Sequence, residues 1–132
     1  MFGGQPNASI QATRGATTLK VTAPQILRSG MIFETIVEVS SRQSVDNLVI
    51  GISDPLWREM TINTMIPAAE EEENKNGFHR FSFGRLEAGD TFRFKIDGQI
   101  NPPLLAGTKG MFVAFDGEGE IISAPVAVKV LP

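Results

Sequence analysis

The chain has 132 residues, enough for one domain, and 42% are hydrophobic against 20% charged, a balance that permits a packed core and excludes wholesale disorder. Its net charge of −3 and its scattered basic residues exclude the clustered lysine and arginine that a nucleic-acid binder needs. The lack of cysteine excludes disulfides, thiol catalysis and cysteine-based zinc sites.

The N-terminal residues have no regular hydrophobic period. Residues 3–18 are small or polar, with Ile10 as the one large aliphatic side chain, so we predict a flexible arm or tether over 1–18 and a domain over 19–132. The alternative for this segment is an irregular first edge strand. We expect no signal peptide, because the N-terminus has no basic segment followed by an apolar one. We also expect no membrane span, because no segment approaches roughly 18 consecutive apolar residues.

Short runs of alternating apolar residues predict β-strands, since a two-residue period puts one set of side chains on one face. We expect Phe33, Val37 and Val39 to point inward, and Leu48, Ile50 and Ile52 likewise. Pro24 is typical of an edge strand or of a kink where a strand changes sheets. In chain order, we predict strands at 19–21, 32–40, 48–53, 60–66, 78–83, 91–100, 110–115 and 121–130.

The connections between these runs predict turns and loops. Asp54 before Pro55 suits the start of one helical turn, and residues 67–77 have the composition of a loop. Asp-Gly within 116–119 predicts a hairpin. Further turns are expected at 28–30, 86–90, 101–103 and 107–110. The pattern indicates an all-β, immunoglobulin-like or fibronectin-like antiparallel β-sandwich of seven or eight strands.

No catalytic, cofactor-binding or metal-binding residue is predicted. His79 is the only histidine, and its neighbours are strand residues, so we expect a surface histidine. The glycines at 3–4 and 117–119 do not precede a helix that would bind phosphate. The Gly-x-Ser-x-Gly motif of a nucleophile elbow surrounds none of the three strand serines considered as nucleophiles, Ser53, Ser82 and Ser123.

Two acidic segments are candidate ion sites. Asp116, Glu118 and Glu120 alternate, but the spacing fails the calcium-loop pattern, which indicates a solvated hairpin tip. Residues 70–73 are four glutamates, typical of a flexible exposed loop. The alternatives are a weak calcium site at 116–120, and a docking patch for a basic partner or a divalent ion at 70–73.

Aromatic composition bears on the remaining binding classes. Trp57 lies outside a predicted strand, so it either caps one end of the core or stands exposed as a binding anchor. We favour the cap. One tryptophan and no tyrosine argue against a carbohydrate-binding face, and the nine phenylalanines alternate as core residues do.

The segment 83–91 resembles a turn found in known modules. Leu86, two residues and then Gly89-Asp90-Thr91 lead into an alternating strand, as in bacterial immunoglobulin-like (CARDB-like) domains. The ending from residue 101 is similar to extracytoplasmic domains of small single-span bacterial membrane proteins of unknown function. The resemblance covers 19–131 and implies a β-sandwich without catalytic residues. The chain lacks the cysteine pair and tyrosine corner of antibody-type domains.

These observations lead to three functional hypotheses. The first is a non-catalytic extracytoplasmic module for protein contact or spacing, the outer domain of a membrane-anchored bacterial protein, with an unknown protein partner and no cofactor. Membrane attachment would then use a segment outside this chain. The second is a ligand- or calcium-binding β-domain that uses the acidic segments. The third is an enzyme whose polar residues converge from distant loops. The oligomeric state is left open.

Overall fold

The computed structural model describes residues 7–24, 26–28, 32–58, 60–100 and 108–131. This part of the chain forms eleven strands and one short helix. In chain order the elements are β1 (Asn7–Arg14), β2 (Thr17–Pro24), β3 (Ile26–Arg28), β4 (Ile32–Ser41), β5 (Val45–Ser53), α1 (Asp54–Arg58), β6 (Met60–Ile66), β7 (Glu71–Lys75), β8 (Phe78–Leu86), β9 (Thr91–Ile100), β10 (Thr108–Asp116) and β11 (Gly119–Leu131).

The strands form two sheets that enclose one core. The five-stranded sheet has the order β1-β2-β4-β9-β6, and the six-stranded sheet has the order β3-β11-β10-β5-β8-β7. Neighbouring strands are antiparallel except β3, which runs parallel to β11. The predicted all-β sandwich is confirmed, although the described residues contain eleven strands instead of seven or eight.

The core lies where the inner faces of the two sheets meet. Phe33, Val37 and Val39 of β4 are buried, as their alternation predicts. The inner faces of the neighbouring strands β2, β5, β8, β9, β10 and β11 also supply large buried side chains. Those with at most 4% exposure are Leu19, Val21, Val45, Leu48, Ile50, Ile52, Phe81, Phe94, Ile96, Phe112 and Ile122. This placement confirms the predicted inward face of β5.

The N-terminal arm predicted for residues 1–18 is corrected over residues 7–18. β1 pairs with β2 without interruption, from Asn7 opposite Pro24 to Arg14 opposite Thr17. A two-residue turn joins them, and its first residue, Gly15, has a φ of 60°. An edge strand is held by its backbone to one neighbour, so it forms here with few large apolar side chains. Residues 1–6 lie outside the described part of the chain.

The loop predicted for residues 67–77 is also corrected. Residues 71–75 form β7, the edge strand beside β8. Asn76 and Gly77 form the two-residue turn between them, with φ angles of 55° and 84°. Asn-Gly is a strong hairpin signal because both residues tolerate positive φ. The strand before this turn was not predicted because four of its five residues are charged. An exposed edge strand needs no apolar face, so it shows no apolar alternation.

Most of the remaining connections follow the predictions. One helical turn forms at 54–58. Pro24 ends β2 in the five-stranded sheet, and β3 begins in the other sheet two residues later, so the chain changes sheets there. The turn predicted at 107–110 is wrong over 108–110, which belong to β10. Ser29, Gly30 and the predicted stop at 101–103 lie outside the described residues.

Candidate functional site

The outer face of the six-stranded sheet carries a second apolar cluster. Val49, Val113 and Phe115 are buried there, and Phe78 and Met111 pack against them while partly exposed. These five residues, which we call the outer cluster, alternate with the core-facing residues of β5, β8 and β10. Outer faces of antiparallel sheets are usually polar. An apolar outer face therefore marks this surface as unusual.

Gly51 forms the floor of the outer cluster. A Cβ at this position would lie 2.7 Å from the Phe115 ring and 3.4 Å from the Phe78 ring. The two rings meet edge to face with centroids 6.0 Å apart. Glycine is therefore needed for the rings to lie directly on the sheet.

Replacing Gly51 with Ala should lower the free energy of unfolding by about 1–3 kcal/mol, the usual cost of overpacking. Gly119→Ala is the matched control, because its Cβ would meet only a backbone oxygen at 3.6 Å. Urea denaturation of both variants measures the difference. Equal stability of the two variants would mean that the Phe115 ring moves aside freely.

Arg80 connects the outer cluster to the β10–β11 hairpin tip. Its side chain is only 6% exposed. The guanidinium lies 4.5 Å from the centroid of the Phe115 ring. Nη1 donates to Glu118 at 2.7 Å and Nη2 donates to the Gly117 carbonyl oxygen, while Glu73 lies 3.5 Å from Nη1. The arginine thus holds the tip against the sheet and covers the phenylalanine.

Glu118 links the tip to β7 as well. It accepts a hydrogen bond from Lys75 at 2.8 Å and another from Arg80. The Lys75 hydrogen bond and then the Arg80 hydrogen bond lower the pKa of Glu118 from its ordinary value of 4.5. A carboxylate whose pKa is lowered by folding stabilises the fold above its unfolded pKa, and this stabilisation is lost as pH falls through the folded pKa.

We therefore expect Glu118→Gln to destabilise the protein most near neutral pH. The gap in unfolding free energy from the parent protein should narrow as pH falls through the lowered pKa of Glu118. Glu120→Gln is the control, since Glu120 is exposed and makes no ion pair in the described part of the chain. Urea denaturation across this pH range gives the measurement. A gap independent of pH would contradict the assignment.

An apolar groove continues from the outer cluster towards β1. Its volume is about 610 Å³, and Met111 belongs to both surfaces. We call it the side groove. Among the described residues of its lining, Lys109 is the one charged side chain, and it makes no ion pair with another described residue. The groove is lined by Ile10, Lys109, Gly110, Met111, Pro125, Val126 and Ala127.

The short helix α1 positions the strand that carries Met111. A Cβ on Gly110 would lie 2.7 Å from Cβ of Leu56 and would also strike Oγ of Ser53. The same Ser53 hydroxyl accepts a hydrogen bond from the Met111 backbone N–H at 3.0 Å. Ser53 therefore has a structural role, which orients β10 at the edge of the side groove.

Trp57 and His79 form a stacked pair at one end of the core. Their ring centroids are 4.4 Å apart and their planes differ by 9°. Phe81 lies below both rings, and Trp57 packs against the core. His79 also contacts a Glu72 carboxylate oxygen at 3.1 Å. The structure thus supports the predicted capping role of Trp57 and corrects the surface position expected for His79.

The two acidic segments meet at Arg80 instead of forming separate carboxylate sites. Glu73 of β7 and Glu118 of the hairpin tip both contact its guanidinium. Asp116 accepts a hydrogen bond from the Asn47 N–H. Among the described residues, no group of three or more His, Cys, Asp or Glu side chains is arranged to hold a metal ion. Within residues 7–24, 26–28, 32–58, 60–100 and 108–131, no helix is long and apolar enough to cross a membrane.

Calcium should leave the melting temperature unchanged at millimolar concentration. An ion that binds only the folded state would raise the melting temperature. We expect no such binding because the charge of Glu118 is already compensated by its ion pairs with Lys75 and Arg80. Thermal unfolding with calcium, compared with sodium chloride of equal ionic strength, measures the effect. An increase in melting temperature with calcium but not with sodium chloride would show that the acidic segments bind the ion.

Sequence reasoning missed the outer cluster and the side groove. Met111, Val113 and Phe115 alternate visibly along β10, but so do their core-facing neighbours, which makes the whole strand apolar. Such a continuous apolar run indicates a strand covered on both faces. That signal is present in the sequence of residues 111–115 and could have been used.

No protein-family model matches the chain, and no curated protein matches it. Solved structures that share its fold include two cohesins. One is a non-cellulosomal cohesin from the archaeon Archaeoglobus fulgidus, with a TM-score of 0.51 and 11% identity over 89% of this chain and 93% of that one. The other is the third cohesin of ScaC from Acetivibrio cellulolyticus, in complex with the ScaB dockerin, with a TM-score of 0.52 and 13% identity over 81% of this chain and 94% of that one. At these identities the similarity establishes a cohesin-like β-sandwich fold.

Proposed function

We propose that this β-sandwich is a non-catalytic protein-contact module. The observation that carries the proposal is the apolar side groove, whose exposed or partly exposed residues Met111, Pro125 and Ala127 adjoin the buried outer cluster. Apolar surface of this kind on a sheet face is typical of an interaction site. The Acetivibrio neighbour, a cohesin in complex with a dockerin, is a sandwich of the same fold with a bound protein.

Hydrogen bonds within the chain fix the conformation of this surface in the absence of a partner. Arg80 fastens the hairpin tip over Phe115, and the Ser53 hydroxyl fixes the backbone of Met111. Preformed surfaces lose less conformational entropy on binding than mobile ones. The exposed part of this surface, Met111 with Pro125 and Ala127, thus presents an apolar contact at low entropic cost.

Lys109 defines the chemistry of the partner. It lines the side groove as a cation without an ion pair in the described residues. A partner segment with apolar side chains for the groove and a carboxylate for Lys109 would complement both features. An apolar segment that carries Asp or Glu is therefore the proposed partner chemistry.

Site-specific photocrosslinking in the source cells tests the surface. A benzophenone amino acid replaces Met111, and the same probe replaces Ile36 as control, because Ile36 is a partly exposed apolar residue on the outer face of the other sheet. The proposal expects a discrete protein adduct at position 111 that weakens with Lys109→Glu. Equal adducts at both positions, or none at position 111, would reject it.

We also propose an extracytoplasmic, membrane-anchored location in a bacterium. Its support is the resemblance of the turn ending in Gly89-Asp90-Thr91 to bacterial surface modules. Protease treatment of intact cells and of spheroplasts, followed by detection of the native full-length protein, tests the location. Protection in both preparations would place the domain in the cytoplasm and reject this part of the proposal.

A further inference from the structure

The four sheet edges in the described part of the chain differ in how they are protected from pairing with another strand. β7 is charged along its length, β6 has a register shift between Ile62 and Thr64, and β3 has only three residues. Charge, irregular register and short length all discourage edge pairing. β1 has eight residues in continuous register, and its one charged residue is Arg14 at the end.

The edge of β1 that faces away from β2 pairs with no other strand of the described residues, and it presents regularly spaced backbone groups. Arg14 and Thr17 flank a two-residue turn, so they form a hydrogen-bonded pair. Hydrogen-bonded and non-hydrogen-bonded residue pairs alternate along the β1–β2 ladder. Ser9, Gln11 and Thr13 therefore occupy non-hydrogen-bonded positions relative to β2. Side chains are closest at such positions, in agreement with the hydroxyl contacts of Ser9 to Thr22 at 2.9 Å and Thr13 to Thr18 at 3.1 Å. The N–H and C=O groups of these three residues therefore point to the free edge.

The side chains of β1 are complementary to a second β1. Ser9, Gln11 and Thr13 are polar and uncharged on the outer face, whereas Ala8, Ile10 and Ala12 are partly buried on the inner face. An antiparallel pair centred on Gln11 places Ser9 opposite Thr13 and Ile10 opposite Ala12, so over residues 9–13 polar residues meet polar ones and apolar residues meet apolar ones. No like charges meet, since each Arg14 lies opposite an alanine.

We propose that β1 pairs antiparallel with β1 of a second copy of this chain, joining two five-stranded sheets into one ten-stranded sheet. The contact uses the same strand in both copies, so it closes as a symmetric dimer. It also covers Ile10, which is partly buried in the single chain. Pairing of one strand buries little area, which predicts a weak dimer. This proposal does not rest on the proposed function, although the two share Ile10, which also lines the side groove.

Sedimentation velocity from about 1 to 500 µM, a range that brackets a weak interface, tests the proposal. The wild-type chain should shift from monomer to dimer. Gln11→Pro removes an outward N–H without touching the β1–β2 ladder, and Gln11→Glu places two carboxylates together in the dimer while facing Lys20 within the chain. Both variants should raise the dissociation constant at least tenfold, with an unchanged melting temperature for Gln11→Glu.

Gln43→Glu is the matched control, because Gln43 is an exposed glutamine in the connection between β4 and β5. It should dimerise as the wild type does. A wild-type chain that stays monomeric over the whole range would reject the proposal. A dimer that both Gln11 variants leave intact would reject it as well, because it would have to form through another surface.

Discussion

Replacing Phe94 with Ala should lower the free energy of unfolding by about 3–5 kcal/mol, the cost of deleting a fully buried aromatic ring. Phe94 has no exposed surface. Its ring lies 5.5 Å from that of Phe81 and 4.7 Å from that of Phe83, measured between centroids, so it joins the two sheets at the centre of the core. Urea denaturation at 25 °C gives the measurement.

Lys95→Ala is the matched control for this prediction. Lys95 follows Phe94 on the same strand but faces outward, is 38% exposed and lies 3.0 Å from Glu34. Exposed ion pairs contribute little, so the variant should lose far less unfolding free energy than Phe94→Ala. Similar losses for the two variants would contradict the assignment of the inner and outer faces of β9.

Replacing Arg80 with Ala should give the second large loss, about 2–4 kcal/mol. The change removes two hydrogen bonds to the hairpin tip, the cation over the Phe115 ring and the apolar stem that packs on the sheet. It also frees the tip and exposes part of the outer cluster. Thermal and urea unfolding measure the loss.

Two variants separate the contributions of Arg80. Arg80→Met keeps the apolar stem, so it should recover more than half of the loss if packing on Phe115 is the larger part. Arg85→Ala controls for the loss of a cation on the same strand, since Arg85 is 50% exposed and pairs with Glu87 and Asp46 at the surface. An Arg85→Ala loss equal to that of Arg80→Ala would show that burial of Arg80 is irrelevant.

Arg80 also shows why local patterns could not predict the candidate site. Glu73 and Glu118 lie in segments far apart in the sequence, and each segment by itself resembles a solvated acidic loop. β8 places Arg80 between them, with β7 on one side and the hairpin tip above. Interactions between residues this distant depend on strand order, which short-range alternation does not specify.

The edge strands show a second limit. Alternation identified β4, β5 and β9 because one face of each is buried, and burial selects apolar residues at every second position. β1 and β7 are held by backbone hydrogen bonds to a single neighbour. Their side chains are mostly polar, so a search for apolar periods passes over them. The turn residues Gly15 and Asn76-Gly77 were the remaining signals for these hairpins.

The sequence by itself determined the fold class, the inward faces of the central strands, the hairpin at 116–119 and the lack of cysteine chemistry. These properties follow from side-chain period and composition, which are local. The tertiary structure alone decided the number of strands, the outer cluster with its groove, the stacking of His79 on Trp57 and the burial of Arg80. Each of these features depends on contacts between two or more segments that are distant in the sequence. Those contacts are determined by the order of the strands in each sheet and by the packing of the two sheets.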